Sequence, residues 1–450
     1  MNKDNTRRNN RLFRSFARYT FLNVMSMIGL SCYILADTYF VSNGMGADGL
    51  TALNLAIPIY SFMNGFGLML AVGGATKYAI FRAQGKQEEG NRTFTNIIWA
   101  AGILSIITVC CGLFGSELLT RWMGADESVF AMTEIYIRVI LLFSPAFIFN
   151  NVINSFVRND GNPKLSMIAM LAGSGSNIVM DYIFIFPMKL GMFGAVLATG
   201  FAPVIGLLIL STHFLKKQNG FHLRKERPES GRIVSAATLG IPSLITEVSS
   251  GLVMAVYNIL ILGIAGNVGV AAYGVIANIV LVVYAVYNGI AQGMQPVISE
   301  AYGKGEKENV RRVFVYGITT MLILSLLIYI GLFVEAEAVT ALFNRDKDMA
   351  LQNMAVEGIK IYFAAIPFVG FNILTAAFFA STEKALPAQI ISLLRGIILV
   401  IPMAFLLANV WKLTGVWMSF TVTELLTTGI GVIFLKGKKK AADFHKKDRN

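Results

Sequence analysis

From Leu165 to Met188 the chain carries a single charged side chain, Asp181. As a helix this stretch would span ~36 Å at about 1.5 Å per residue, enough to cross the ~30 Å hydrocarbon core of a bilayer. Such stretches recur along the whole sequence. Apolar runs bounded by charges and by Gly or Pro signals fall at 19–43, 51–81, 93–116, 128–157, 165–188, 191–215, 233–264, 268–300, 313–334, 349–380, 385–410 and 413–435. They predict an all-α integral membrane protein with twelve transmembrane helices. Composition closes off a water-soluble alternative: 55% of the 450 residues are hydrophobic and 14% charged, far more apolar surface than a soluble domain of this size carries. The basic start (Arg7, Arg8, Arg11, Arg14, Arg18) leads into a long span with no small-residue cleavage site, so no cleavable signal peptide is expected. Cys32, Cys110 and Cys111 lie in apolar runs without metal-ligand spacing and are expected to pack in the core.

The formal charge of +12 does not point to nucleic acid, because the basic residues collect in short loops between apolar runs. Assigning the loops to alternate sides sorts them sharply. One side holds the N-terminal arginines, Arg82, Lys86, Arg92, Arg158, Lys164, the basic residues of "KKQNGFHLRKERPESGR" (216–232), Lys304, Lys307, Arg311, Arg312, Lys384 and Lys436 to Lys440. The other holds Arg121, Lys189, Arg345, Lys347 and Lys412. The positive-inside rule then places both termini in the cytoplasm of a multi-pass plasma-membrane protein. Residues 216–232 read as a cytoplasmic connection whose charge sets topology and contacts anionic lipid.

The two halves resemble each other. "SPAFIFNNVINSF" (144–156) matches "IPFVGFNILTAAF" (366–378), with Pro145 on Pro367, Asn150 on Asn372 and Phe156 on Phe378 at one constant offset. "GKQEEGNRTF" from Gly85 matches "GKGEKENVRRVF" from Gly303 at a slightly shorter one. Six helices per half return the chain to its starting side, so the repeat is parallel and predicts two pseudo-symmetric six-helix bundles facing a central cleft. The expected division is a first lobe over 1–217, a linker over 218–232, a second lobe over 233–436 and a basic tail over 437–450.

An ionised carboxylate inside a span costs about 2.5–3.5 kcal/mol on insertion scales, so Asp181 calls for partners. Asn177 lies one turn before it on the same helix face. Counting inward from the outer ends of their spans, Asp37, Asp181 and Thr199 share a level ~10–12 Å deep by the helical rise. Two carboxylates at one depth favour holding a proton or a sodium ion between them, the alternative being polar glue between helices. No acidic pair recurs in the second half, where the offset of the repeat carries Asp181 onto Met403. That half offers Arg395 and Glu424, placed to form a structural ion pair, and Glu247, which has no evident partner at its depth and is a candidate substrate or proton site facing the cleft. With 32 Phe and 20 Met in the chain, the cleft is expected to be lined mainly by apolar, aromatic and methionine side chains.

These residues resemble the multidrug and toxic compound extrusion (MATE) family of secondary transporters along almost the whole chain. The resemblance rests on "ADTYFVSNGMGADGLTALNLAIPI", "NDGNPKLSMIAMLAGSGSNIVMDYIFIF", "GMFGAVLAT", "GIPSLITEVSSGLVMAVYNILI", "AAYGVIANI" and "SLLRGIILVIP". It implies cation-coupled export of organic cations, drugs or amphiphilic metabolites in exchange for sodium or protons; a monomer with no cofactor beyond the coupling ion is expected. It also implies a cation site in the first lobe formed by Asp37, Asn177, Asp181 and Thr199. Two features depart from the family pattern. The first helix reads "YTFLNVMS" where many relatives have a proline, so any bend there must use Gly29 instead, and Glu247 stands about one turn from the family's acidic residue.

Other classes fit less well. A flippase for lipid-linked precursors would want several cations in the cleft, and Arg395 is the main one within the spans. An intramembrane enzyme lacks an HExxH pair, and His213, His222 and His445 lie at a helix end, in the linker and in the tail. "GFGLMLAVGG" sits inside a span with no Lys-Ser/Thr after it, which argues against a nucleotide loop. A passive channel would not need the acidic pair.

Overall fold

The computed structural model describes residues 3–344 and 347–447. Arg345, placed above on the sparsely charged side, and the last residues of the tail, 448–450, lie outside the described residues. The elements are α1 (Lys3–Ala83), α2 (Gln87–Trp122), α3 (Phe130–Leu142), α4 (Ser144–Asn159), α5 (Pro163–Ile185), α6 (Gly191–Leu215), α7 (Ser230–Gly303), α8 (Lys307–Val334), α9 (Ala336–Phe343), α10 (Met349–Tyr362), α11 (Ile366–Ser381), α12 (Ala385–Leu393) and α13 (Val400–Lys447).

Straight, the 81 residues of α1 would reach ~120 Å by the helical rise, several bilayers' worth. The helix instead breaks at Gly46, whose φ of 68° lies in the left-handed region that glycine adopts without strain. Its two ends return to one place: Asn23 accepts from Arg158 at 3.1 Å, while Tyr78 donates to Asp160, just beyond that arginine, at 2.5 Å. The same device breaks α7 at Gly266 and α13 at Trp411 and Lys412. The pair α3 and α4 forms one span bent by 46°, where Pro145 starts a new helix. Among the described residues, nine long apolar segments, three of them folded back, give twelve membrane-crossing helices in two sets of six.

The repeat extends to the turns. Left-handed residues stand at Gly46 and Gly266, at Gly85 and Gly305, at Gly161 and Glu383, and at Lys189 and Lys412. The second pair corrects the alignment drawn from sequence: the left-handed Gly85 corresponds to Gly305, not Gly303, because the turn needs its positive φ at that residue. Side-chain contacts repeat as well. A Cβ on Gly206 would lie 2.7 Å from Asn150 Oδ1, and in the second half Thr428 donates to Asn372 Oδ1 at 3.2 Å.

Buried apolar residues form separate cores. One gathers Tyr257 to Phe420 with Phe16 from the start of the chain, and two others are built from the first half, joined by Ala236. The three cysteines correct the sequence expectation, since all are free and exposed. In a bilayer the outer surface of a bundle faces hydrocarbon, so an apolar thiol there loses nothing by exposure.

The segment between α6 and α7 is docked rather than loose. Phe221 is fully buried among Phe94, Phe156, Tyr78 and Phe214. The backbone N–H groups of His222, Arg224 and Glu229 donate to Asn91 Oδ1, Thr95 Oγ1 and Asn96 Oδ1 at 2.9, 2.9 and 2.6 Å. These three acceptors recur along one face of α2, so one helix edge holds the segment as a strip.

Candidate functional site

Asp37 on α1 and Asp181 on α5 are neighbours whose carboxyl groups interact. Asp181 is fully buried and Asp37 is 7% exposed. One oxygen of each, Oδ1, has no hydrogen-bond partner among the described residues. Asn177 completes the group: with its amide turned to satisfy both neighbours, its nitrogen donates to Asp181 Oδ2 at 2.9 Å and its oxygen accepts from the Thr199 backbone N–H at 3.2 Å. Tyr136 on α3 lies beside Thr199. Two buried neighbouring carboxyls disfavour both being ionised at once, so the arrangement is suited to holding a proton or a cation. A hard monovalent cation takes oxygen ligands, and the carboxylate, amide and hydroxyl oxygens gathered here fit that requirement.

Small residues bring the helices together. A Cβ on Gly29 would lie 2.4 Å from Leu171 Cδ2, and one on Gly44 would lie 2.4 Å from Ile185 Cγ2. The two glycines bracket Asp37 on α1, and their partners bracket Asp181 on α5. Gly29 is a packing position in this structure, where a larger residue must displace the Leu171 side chain.

A cavity of ≈ 170 Å³ lies between the two halves, walled by α1, α7, α11 and the eleventh span. Glu247 and Arg395 both line it, with Asn288, Gln292, Ser243 and Met27 among their neighbours. No aromatic side chain is among its described lining residues. The lining is mainly apolar and includes Met27, as expected, but the aromatic part of that expectation is corrected. Glu247 is half-buried and does have a partner, since Asn64 Nδ2 donates to its Oε1 at 2.9 Å, while Asn64 Oδ1 accepts from Asn151 at 2.9 Å. The partner was invisible in the sequence because it comes from the other half, 183 positions away.

Arg395 and Glu424 meet at 2.8 Å, both buried. Asn372 donates to Glu424 Oε2 at 2.7 Å, and Arg395 lies over the Tyr284 ring at 5.7 Å. Arg395 sits in a π-helical turn, Leu394–Ile398, a local widening that swings its side chain toward Glu424 on the next span.

Sequence reasoning missed a second buried arginine. Arg158 is 2% exposed and donates to Asn23 Oδ1 at 3.1 Å and across the halves to Gln292 Oε1 at 2.6 Å. Gln295 donates to Thr76 at 2.6 Å, and Lys77 pairs with Glu383 at 2.5 Å. These contacts join the halves at the end of the molecule that carries the basic loops. Beside them Asp160 accepts from Tyr78, His213 and the Gly220 backbone at 2.5, 2.9 and 2.7 Å, anchoring the docked segment. The signal in sequence was polar residues at span ends, which read equally well as loop chemistry.

Two six-helix bundles around a shared cavity, with an acidic pair buried in one of them, define a membrane transporter of small molecules rather than an enzyme. Residues 23–183 and 242–406 match the MatE family, and the chain belongs to this family of multidrug efflux transporters. It is 25% identical over 398 residues to the multidrug export protein MepA of Staphylococcus saprophyticus, covering 88% of this chain and 87% of that one. Among solved structures it superposes on a MATE transporter in complex with MaL6 with a TM-score of 0.89 at 23% identity, covering 96% of this chain and 97% of the other. An outward-facing multidrug resistance MATE transporter gives a TM-score of 0.88 at 24% identity, with 96% of each chain covered.

Proposed function

We propose that the chain is a cation-coupled antiporter that exports organic cations, drugs or amphiphilic metabolites by alternating access, using either sodium or protons. The observation that carries this reading is the pair of unpartnered oxygens on Asp37 and Asp181. Bound sodium or a proton would supply the positive charge that lets the two carboxyls stay buried together. Asp37, Asn177, Asp181 and Thr199 would hold it. Coupling needs an ionisable group whose occupancy differs between the two states of the cleft, because an effector with equal affinity for both shifts nothing. Gly29 and Gly44 keep α1 close to α5, so a change in the charge of the pair acts directly on the packing of α1. The contacts of Arg158, Gln295 and Lys77 at the basic end support an alternating cycle in which these links open and re-form.

The same reading gives the organisation. The first lobe spans 1–217 and the second 233–436, with 218–232 travelling as part of the first lobe because its backbone is held by α2 and Asp160. Both termini lie in the cytoplasm, the protein acts as a monomer, Glu247 takes a proton or a cationic group of the substrate, and Arg395 with Glu424 supports the second lobe. The test is efflux of a fluorescent organic cation from proteoliposomes under a sodium gradient and a proton gradient imposed separately. Efflux driven by one of them is expected. Efflux that ignores both would overturn coupling.

A further inference from the structure

The cavity between the halves carries a carboxylate and a guanidinium on one wall. Glu247 on α7 and Arg395 both line it. They stand at one level, because Gly396, next to Arg395, packs on the residues flanking Glu247: a Cβ there would lie 2.4 Å from Ser249 Oγ and 3.7 Å from Ile245 Cγ2. Each charged group has one arm in use and one arm open. Glu247 accepts from Asn64 through Oε1, and its Oε2 has no hydrogen bond among the described residues. Arg395 commits Nε and Nη2 to Glu424 and Tyr284, at 3.1 Å for Nε–Oε1, 2.8 Å for Nη2–Oε1 and 3.4 Å to the Tyr284 hydroxyl. Its Nη1 donates to no described residue, and Arg395 is among the residues lining the cavity.

We propose that this cavity selects zwitterionic substrates, binding a cationic nitrogen against Glu247 Oε2 and a carboxylate of the same molecule against Arg395 Nη1. The proposal rests on the transport reading above and names the substrate class of that cavity. A guanidinium held side-on by one carboxylate keeps its remaining N–H groups in a fixed direction, so it presents an oriented donor. A purely cationic ligand satisfies Glu247 and strips water from Nη1 without replacing it, which leaves a buried charged donor unmet. A zwitterion satisfies both.

Rhodamine B carries a cationic xanthylium and a free carboxylate; its ethyl ester keeps the cation and loses the anion. Fluorescence anisotropy with the purified full chain in detergent is expected to show rhodamine B bound about tenfold more tightly than the ester, the effect of one charge-assisted hydrogen bond. In the double variant Arg395→Met/Glu424→Gln, which leaves no charge stranded, the two affinities become equal through loss of rhodamine B affinity alone. Arg395→Lys, which can keep the pair with Glu424 but has no second guanidinium arm, gives the same loss should the double variant not fold. Glu247→Gln weakens both dyes. Equal wild-type affinities, a preference that survives both Arg395 variants, or binding of neither dye overturns the proposal. Gradient-driven efflux is read separately on the ester. Coupled efflux of the ester with no preference for rhodamine B sinks the zwitterion proposal and keeps the transporter, whereas a binding preference without coupled efflux does the reverse.

Discussion

Arg395 meets Glu424 at 2.8 Å at the positions where the first half sets Gly173 against Ala202. Both pairs obey the offset that relates Pro145 to Pro367, and a Cβ on Gly173 would lie 2.9 Å from the Ala202 carbonyl oxygen. The same crossing of neighbouring spans is closed by backbone packing in one bundle and by an ion pair in the other. In the second bundle this crossing thereby carries a cation beside the cavity.

The pair makes the first prediction. Arg395→Met leaves Glu424 buried without a counter-charge, a loss of about 3–5 kcal/mol. Glu424→Gln alone strands the arginine instead. The double variant removes both charges and is expected to recover a large part of the loss. Thermal unfolding of the detergent-solubilised protein, with the yield of monodisperse material, checks it; single variants as stable as wild type would show that the pair has no structural role.

Neutralising Asp37 or Asp181 is expected to abolish ion-driven efflux and leave folding intact. Asp181→Asn keeps the size of the side chain and can donate to Asp37, so a role as helix glue would survive it. If the coupling ion is sodium, wild-type protein gains about 2.7 kcal/mol of stability at a hundred times the dissociation constant, and the variants gain none. The measurement pairs proteoliposome efflux with a sodium titration of the melting temperature. Near-normal coupled efflux in both variants would remove the site.

Widening Gly29 tests the same site from its packing. Gly29→Leu forces α1 away from Leu171 and separates the carboxyls, so coupling should fall by more than tenfold, whereas Gly175→Ala, with nothing within 4 Å of its Cβ, should leave it unchanged. Efflux by the Gly29→Leu protein at the wild-type rate would mean that close packing of α1 on α5 is not needed.

Arg158 holds the basic end across the two halves. Replacing it with Met removes the contact with Gln292 and should weaken closure there. Spin labels on Lys86 and Lys384, read by double electron–electron resonance, are expected to show a longer and broader distance distribution in Arg158→Met than in the parent pair. An unchanged distribution would assign closure to the other contacts.

Phe221 tests whether the docked segment belongs to the first lobe. Phe221→Ala empties a fully buried aromatic site, with an expected cost of about 3 kcal/mol in the docking of 219–229. Trypsin should then cut at Arg224 to Arg227 faster than in wild type, in inside-out vesicles and not in right-side-out ones. Cleavage from the outer side in right-side-out vesicles would reverse the proposed topology.

Much of this architecture was carried by periodicity alone. Twelve apolar runs, a charge count that alternates between loops and a repeat at constant offset set the number of spans and the two-bundle plan, because the bilayer imposes one length and one satisfied backbone on every crossing segment. Helical spacing also put Asp37, Asp181 and Thr199 at one depth, since rise per residue is a local property. What periodicity could not supply is which helices face each other and by which sides. The partnership of Glu247 with Asn64, the latch from Arg158 to Gln292 and the docking of Phe221 all join residues far apart in the chain. The cysteines expected inside and the aromatic lining expected around the cleft went the other way for the same reason. Lipid accepts apolar side chains as readily as the interior does, so hydrophobicity in a bilayer no longer says which face is buried, and only the packing of the helices decides it.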